Sequence, residues 1–208
     1  MLEGALSCFT AEQRTRLEAA RVGIAGAGGL GSNVAVMLAR SGVGHLIIID
    51  GDIVEPSNLN RQHYFPAHLG RVKVEALKEQ LLCLNPDMKV DARRLWLDRD
   101  NIPPLLDEAE LWIEALDKAD IKALFASAAM AAAVAAKAKK TVICGSGMGG
   151  FGRYAMKRRL MGSLIVVGDM KTDVADRPPL APRVMQCAAM QADAALEWLL
   201  TGTIKDLL

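Results

Sequence analysis

The segment Arg21–Ser32, RVGIAGAGGLGS, constrains this chain more than any other. A short apolar run enters three glycines, Gly26, Gly28 and Gly31, in G-x-G-x-x-G spacing, and the amphipathic stretch SNVAVMLARSGV follows. That order predicts strand, tight turn and helix. Gly26 permits the turn, Gly28 lets backbone approach a phosphate, and Gly31 lets helix and strand pack closely. Free N–H groups at the helix start, with the positive end of its dipole, favour an anion there. The next strand, HLIIID, ends in Asp50, at a distance suited to a ribose hydroxyl. Its unbroken β-branched run predicts burial on both faces, as in a parallel sheet. A glycine turn can also be a plain connection, but strand, turn, helix and acid in this order favour a bound nucleotide.

The motif alone does not name the nucleotide. NAD is the obvious candidate, and two features oppose it. A dehydrogenase normally adds a substrate-binding region, for which little chain remains. The cluster Ser57–Gln62, SNLNRQ, has no role in the ordinary dinucleotide fingerprint.

Elsewhere helices are expected at Thr10–Ala20, with Thr10 and Gln13 spaced as a capping box, at His68–Leu84, closed by Asn85-Pro86, and at Ala119–Lys139. A last helix is expected at Arg183–Leu200, with Met185, Ala188, Ala189, Ala192, Leu196 and Leu199 on its apolar face. MKVDARRLWL, ELWIEAL, TVICGSG and SLIVVG read as strands. YAMKRRL and SLIVVG have no helix between them and predict an antiparallel edge, and Asp169–Pro182 reads as an irregular loop with three prolines. Alternating strands and helices give an α/β, Rossmann-like fold: a mostly parallel sheet with helices on both faces, in one domain over residues 1–208.

Lys and Arg number 25 against 24 Asp and Glu, which argues against a dedicated nucleic-acid binder. The four cysteines, Cys8, Cys83, Cys144 and Cys187, form no C-x-x-C and suit a reducing cytoplasm. The opening residues do not read as a secretory signal. The apolar run Ala123–Ala136 falls short of the roughly 18 residues of a membrane span, so a buried helix is expected.

GAGGLGSNVA, DGDIVEPSNLNRQ and GRVKVEAL, in this order, resemble the ThiF/MoeB/HesA family, bacterial relatives of ubiquitin-activating enzymes, and within it the short ThiF type. The likeness runs from about Arg21 through Gly147 and resumes more loosely in APRVMQCAAMQADAALEWLL. It implies an adenylyltransferase. ATP occupies the glycine-turn pocket, and the C-terminal carboxylate of a ubiquitin-like sulfur carrier, ThiS-like and ending in Gly-Gly, attacks the α-phosphorus. An acyl adenylate and pyrophosphate result. Such a site must grip a polyanion and offset charge on the leaving pyrophosphate, which explains the guanidinium and amides of SNLNRQ.

The resemblance also assigns roles. Gly26, Gly28, Gly29 and Gly31 contact or make room for ATP. Asp50 holds the ribose, and Asp52 supports the same loop. Asn58 and Arg61 face the phosphates, Gln62 orients the segment, and Lys73 neutralises phosphate charge. Asp117 is the expected Mg²⁺ ligand; one carboxylate suffices beside phosphate oxygens. Longer members hold structural zinc in two C-x-x-C pairs absent here, so no zinc is expected. A homodimer is implied, with no nucleic-acid or membrane partner, and an arginine that reaches a partner's ATP has only Arg14 or Arg16 as candidates.

Plainer readings stand beside these. Lys73, with Arg71 and Lys78, could be a solvated helix face. Asp117 could cap the following helix, and Arg61 could pair with Glu55. Asp120 and Lys122 read as cap and surface residues, and His63 and His68 as ordinary loop residues. Cys187 could link covalently to a carrier, but within a helix beside Ala188 and Ala189 it reads as a packed, inert thiol. GSGMGGFG could line the channel for a carrier tail or be a tight connection. Activation of a molybdopterin-type carrier, tRNA modification through an adenylate, an NAD-dependent oxidoreductase and a nucleotide-binding scaffold remain open.

Overall fold

The computed structural model describes residues 4, 6–136, 140–152 and 154–204. In chain order the elements are α1 (Ala11–Ala19), β1 (Arg21–Ala25), α2 (Gly29–Arg40), β2 (His45–Ile49), α3 (Lys73–Leu84), β3 (Lys89–Arg93), α4 (Ile102–Leu106), β4 (Leu111–Glu114), α5 (Ala119–Ala136), β5 (Thr141–Gly145), β6 (Lys157–Met161), β7 (Leu164–Gly168) and α6 (Ala181–Thr201).

Among the described residues the strands form one sheet in the order β3-β2-β1-β4-β5-β7-β6. All neighbours are parallel except β6 and β7, the expected antiparallel edge. Helices cover both faces. Leu17 of α1, Val34 and Leu38 of α2, Leu77 and Leu81 of α3, and Ala188 and Ala192 of α6 share one core layer. Ile102 and Leu106 of α4, and Phe125 and Ala129 of α5, pack with Trp112 on the other. The chain leaves β1 toward β2 on one side and returns at β4 on the other, so a crevice opens above the carboxyl ends of β1 and β4. Open α/β sheets bind ligands at such a switch point.

Local chemistry sets the element ends. Thr10 Oγ1 accepts from the Gln13 amide at 3.2 Å and Gln13 Oε1 from the Thr10 amide at 2.9 Å, the capping box read from the sequence. Gly202, at φ 71°, ends α6 in the left-handed conformation. The helix expected over His68–Leu84 divides: Pro66–His68 is a 3₁₀ turn, Gly70 sits at φ 78°, and α3 starts only at Lys73. The expected helix Ala119–Lys139 is α5 as far as Ala136, and residues 137–139 lie outside the described ones. α4, with Pro103 and Pro104 in its first turn, had no counterpart in the sequence reading. No helix among the described residues is long and apolar enough to cross a membrane.

Candidate active site

The glycine turn builds one wall of the site. Gly26 lies at φ +97°, and a Cβ there would stand 2.6 Å from the Ala115 carbonyl oxygen. At Gly31 it would stand 1.8 Å from the Gly26 carbonyl oxygen, so Gly31 allows α2 to rest on the turn. Gly28 is the N-cap of α2 and supplies no side-chain cap, which leaves N–H groups of the first helical turn directed at the crevice. Asp50 closes the turn from β2. Its Oδ2 accepts from the Ala27 amide at 2.7 Å and its Oδ1 from the Asp52 amide at 2.8 Å. Each carboxylate oxygen keeps a lone pair for a hydroxyl.

These groups line a cavity of about 970 Å³ over the switch point, near the upper end of the roughly 300–1,000 Å³ usual for ligand sites. Of the residues singled out from the sequence, Gly26, Gly28, Gly29, Asp50 and Asp52 line it, as do Arg61, Gln62, Lys73 and Asp117. Gly31 lies behind the turn, and Asn58 is buried away from the cavity. Asn58 Oδ1 accepts from the Glu55 amide at 3.1 Å and so closes the 3₁₀ turn Pro56–Asn58.

Lys73 does not belong to a solvated helix face. It is 6% exposed, and its Nζ donates to Asp52 Oδ2 at 2.9 Å, which leaves two of its three protons for a ligand. Arg61 does not pair with Glu55. Its Nη1 donates to the Ser57 carbonyl at 3.0 Å and to Asn60 Oδ1 at 2.8 Å, and no carboxylate neutralises it among the described residues. Gln62 is buried, and its Oε1 has no hydrogen-bond partner among the described residues. Asp117 is exposed at the cavity, and its carboxylate makes no hydrogen bond to a described residue. It is therefore free to meet a hard cation beside phosphate oxygens, the arrangement magnesium favours. No group of three or more His, Cys, Asp or Glu that could hold a metal occurs among the described residues.

Several working parts were not singled out from the sequence. Ser32 and Asn33, buried on an otherwise apolar helix, tie the SNLNRQ segment down. Asn33 Nδ2 donates to the Arg61 carbonyl at 3.0 Å, and Ser32 Oγ accepts from the His63 amide at 2.9 Å. Tyr64 donates its hydroxyl to the Ala27 carbonyl at 2.8 Å, under the glycine turn, and burial and the nearby Asp50 push its pKa well up. Polar side chains just past the last glycine were the available signal. Lys122 is not a surface residue: it lines the cavity and pairs with Glu114, whose side chain is 2% exposed. Burial raises the Glu114 pKa against the opposing pull of Lys122.

The far wall comes from the end of β5, the segment that follows it and the segment after β7. Gly145–Met148 and Met170–Val174 line it. Asp169 anchors this segment. It accepts from the Lys171 amide at 2.9 Å, from the Thr172 amide and hydroxyl at 2.8 Å each, and from the Arg183 guanidinium. Burial alone would raise the Asp169 carboxyl, yet these bonds hold it below the ordinary carboxylate value. Cys187 is fully buried, with its thiol pushed up to about 12 mainly by burial, as fits a packed, unreactive group.

Comparisons with known proteins place this architecture. The ThiF family model matches residues 3–206. The adenylyltransferase and sulfurtransferase UBA4 of Eremothecium gossypii is 35% identical over 147 residues, which is 69% of this chain and 31% of UBA4. The probable adenylyltransferase/sulfurtransferase MoeZ of Mycobacterium tuberculosis is 36% identical over 118 residues, 56% of this chain and 30% of MoeZ. The chain thus spans less than a third of the length of these relatives. The E. coli tRNA N6-threonylcarbamoyladenosine dehydratase TcdA, in complex with AMP, superposes with a TM-score of 0.83 at 20% identity, over 96% of this chain and 93% of TcdA. With the family model covering nearly its whole length, this chain belongs to the ThiF family.

Proposed function

We propose that this protein is an ATP-dependent adenylyltransferase that activates the C-terminal carboxylate of a ubiquitin-like sulfur carrier, ThiS-like and serving thiamine biosynthesis. One observation carries the reading. Arg61, Lys73 and Asp117, from three separate segments, meet the glycine turn and Asp50 around one cavity. A hydride-transfer site can use cations for its dinucleotide phosphates, but it has no use for a spare carboxylate beside them. A triphosphate site needs both.

Asp50 receives the ribose hydroxyls, and the amides at the start of α2 receive phosphate. Lys73 and Arg61 hold the remaining phosphate charge. Asp117 would hold a magnesium ion, which when bound offsets charge on the polyphosphate. The carrier tail enters along Gly145–Met148 and Met170–Val174, where two glycines bring backbone to the cavity wall. The carrier's carboxylate oxygen bonds to the α-phosphorus as the bond to the β-phosphate oxygen breaks, and pyrophosphate leaves. No protein nucleophile is required.

The test is mass spectrometry of ubiquitin-like carriers mixed with the enzyme, ATP and magnesium, with ATP–pyrophosphate exchange measured in parallel. Wild type adds one adenylyl group to a Gly-Gly-terminated carrier. Arg61→Ala and Lys73→Ala remain folded and lose at least a hundredfold in exchange. Full exchange in both variants, or tighter binding of NADH than of ATP, rejects the reading.

A further inference from the structure

Lys122 lines the same cavity as Lys73 and Arg61, and its charge suggests a third phosphate ligand. Its geometry says otherwise. Nζ donates to Glu114 Oε1 at 2.9 Å, to Glu114 Oε2 at 2.8 Å and to the Leu116 carbonyl at 3.2 Å. An ammonium has three protons, and all three are engaged. Lys73, with one acceptor, is a different case.

Glu114 completes the arrangement. Its Oε1 also accepts from the Leu116 amide at 2.8 Å. One ion pair thus holds both the N–H and the C=O of Leu116. The preceding residue is fixed as well: the Ala115 amide donates to the Ala25 carbonyl at 2.8 Å, and its carbonyl packs against Gly26. From the core, Gln191 Nε2 donates to the Glu114 carbonyl at 3.3 Å. The next residue is Asp117, whose carboxylate has no partner of its own among the described residues. Its position is therefore inherited from Leu116.

We infer that Glu114 and Lys122 form an internal clamp that aims Asp117 at the phosphates, and that Lys122 is a positioning residue rather than a phosphate ligand. The inference rests on the proposed use of ATP and magnesium. A phosphate ligand contributes whether or not metal is present. A clamp acting through Asp117 matters only when metal is bound.

Calorimetric titrations of ATP in EDTA and in excess magnesium separate the two roles. Lys122→Met is expected to bind ATP in EDTA within twofold of wild type, while the affinity gain from magnesium shrinks at least tenfold. Lys122→Arg recovers most of that gain. Should Lys122→Met fail to fold with an unpaired Glu114 inside, Glu114→Gln/Lys122→Met removes the buried charge and takes the same two readouts. Binding in EDTA weakened tenfold, or a full magnesium gain retained, overturns the clamp. A wild type that binds ATP without any magnesium gain overturns the role of Asp117 on which the clamp acts. A wild type that binds no ATP overturns the proposed function itself, a separate result.

Discussion

Gly28 and Gly31 stand three residues apart in one motif and answer to different forces. A methyl at Gly31 would lie 1.8 Å from the Gly26 carbonyl oxygen, and backbone there cannot yield. At Gly28 the nearest atom to such a methyl is Gln62 Nε2, at 3.8 Å. Gly31→Ala should therefore lower the unfolding free energy by at least about 2 kcal/mol, as overpacking does. Gly28→Ala should cost less than about 1 kcal/mol but weaken ATP binding at least tenfold, because its methyl occupies the path of a phosphate. Urea denaturation and ATP titration of both variants check this; equal stability losses would sink the division. The glycine spacing made both residues legible in the sequence. The burial of Lys73 was not. Arg71, Lys73 and Lys78 look alike along the chain, and only the return of Asp52 beside the start of α3 draws one of them inward. Lys122 reads as a surface residue for the same reason, since Glu114 reads as the end of a strand and its carboxylate has no visible need of a partner.

At the scale of elements, the segment that begins at Asp169 is anchored at its start by one buried carboxylate. Asp169 carries four hydrogen bonds, Met170 is held at φ 57°, and Gly149 donates to Thr172 Oγ1 at 3.0 Å. A non-glycine residue in the left-handed region persists only where its surroundings enforce it. Asp169→Asn leaves the Arg183 charge without its partner and should cost about 3 kcal/mol at pH 7. The sign of its pH dependence follows from the depressed carboxyl. The stabilisation is complete above the ordinary value of about 3.9 and is lost as pH falls through the lower folded value. The stability gap between wild type and Asp169→Asn, measured by urea unfolding from pH 7 to pH 3, should narrow at the acid end; a constant gap would contradict this account. Three prolines made this stretch look irregular in the sequence, because the contacts that order its start come from Gly149, 23 residues before Thr172, and from Arg183, on the helix that follows. Helix boundaries were legible where caps or prolines fix them, as at Thr10, and illegible at Gly70, where a single left-handed residue divides one apolar pattern into two elements.

Across the whole molecule, the cavity is spanned by the sheet and has two ends. At one, after β3, Trp96 lies against Gly51, where a Cβ would come within 2.4 Å of the ring, and Lys118 Nζ sits over that ring, 5.6 Å from its centroid; Trp96 and Lys118 both border the cavity. At the other, after β7, Lys171 sits over the Tyr154 ring at 4.8 Å and also borders the cavity. Four strands lie between β3 and β7, so Trp96 and Lys171 reach the cavity from opposite sides of the switch point. An aromatic ring at the cavity suits a nucleotide base, and a cation at the cavity's other end suits an acidic chain end. On the proposed function, Trp96→Ala should raise the Michaelis constant for ATP severalfold and leave that for the carrier within twofold, and Lys171→Met should do the reverse. The two residues contact different neighbours, Gly51 and Lys118 against Tyr154, so the double variant should lose kcat/KM by the product of the single losses, additive within about 0.5 kcal/mol. Coupling well beyond that figure, or a Lys171→Met variant that weakens ATP and carrier alike, would mean that the cavity works as one undivided pocket and that the sheet does not separate its two substrates.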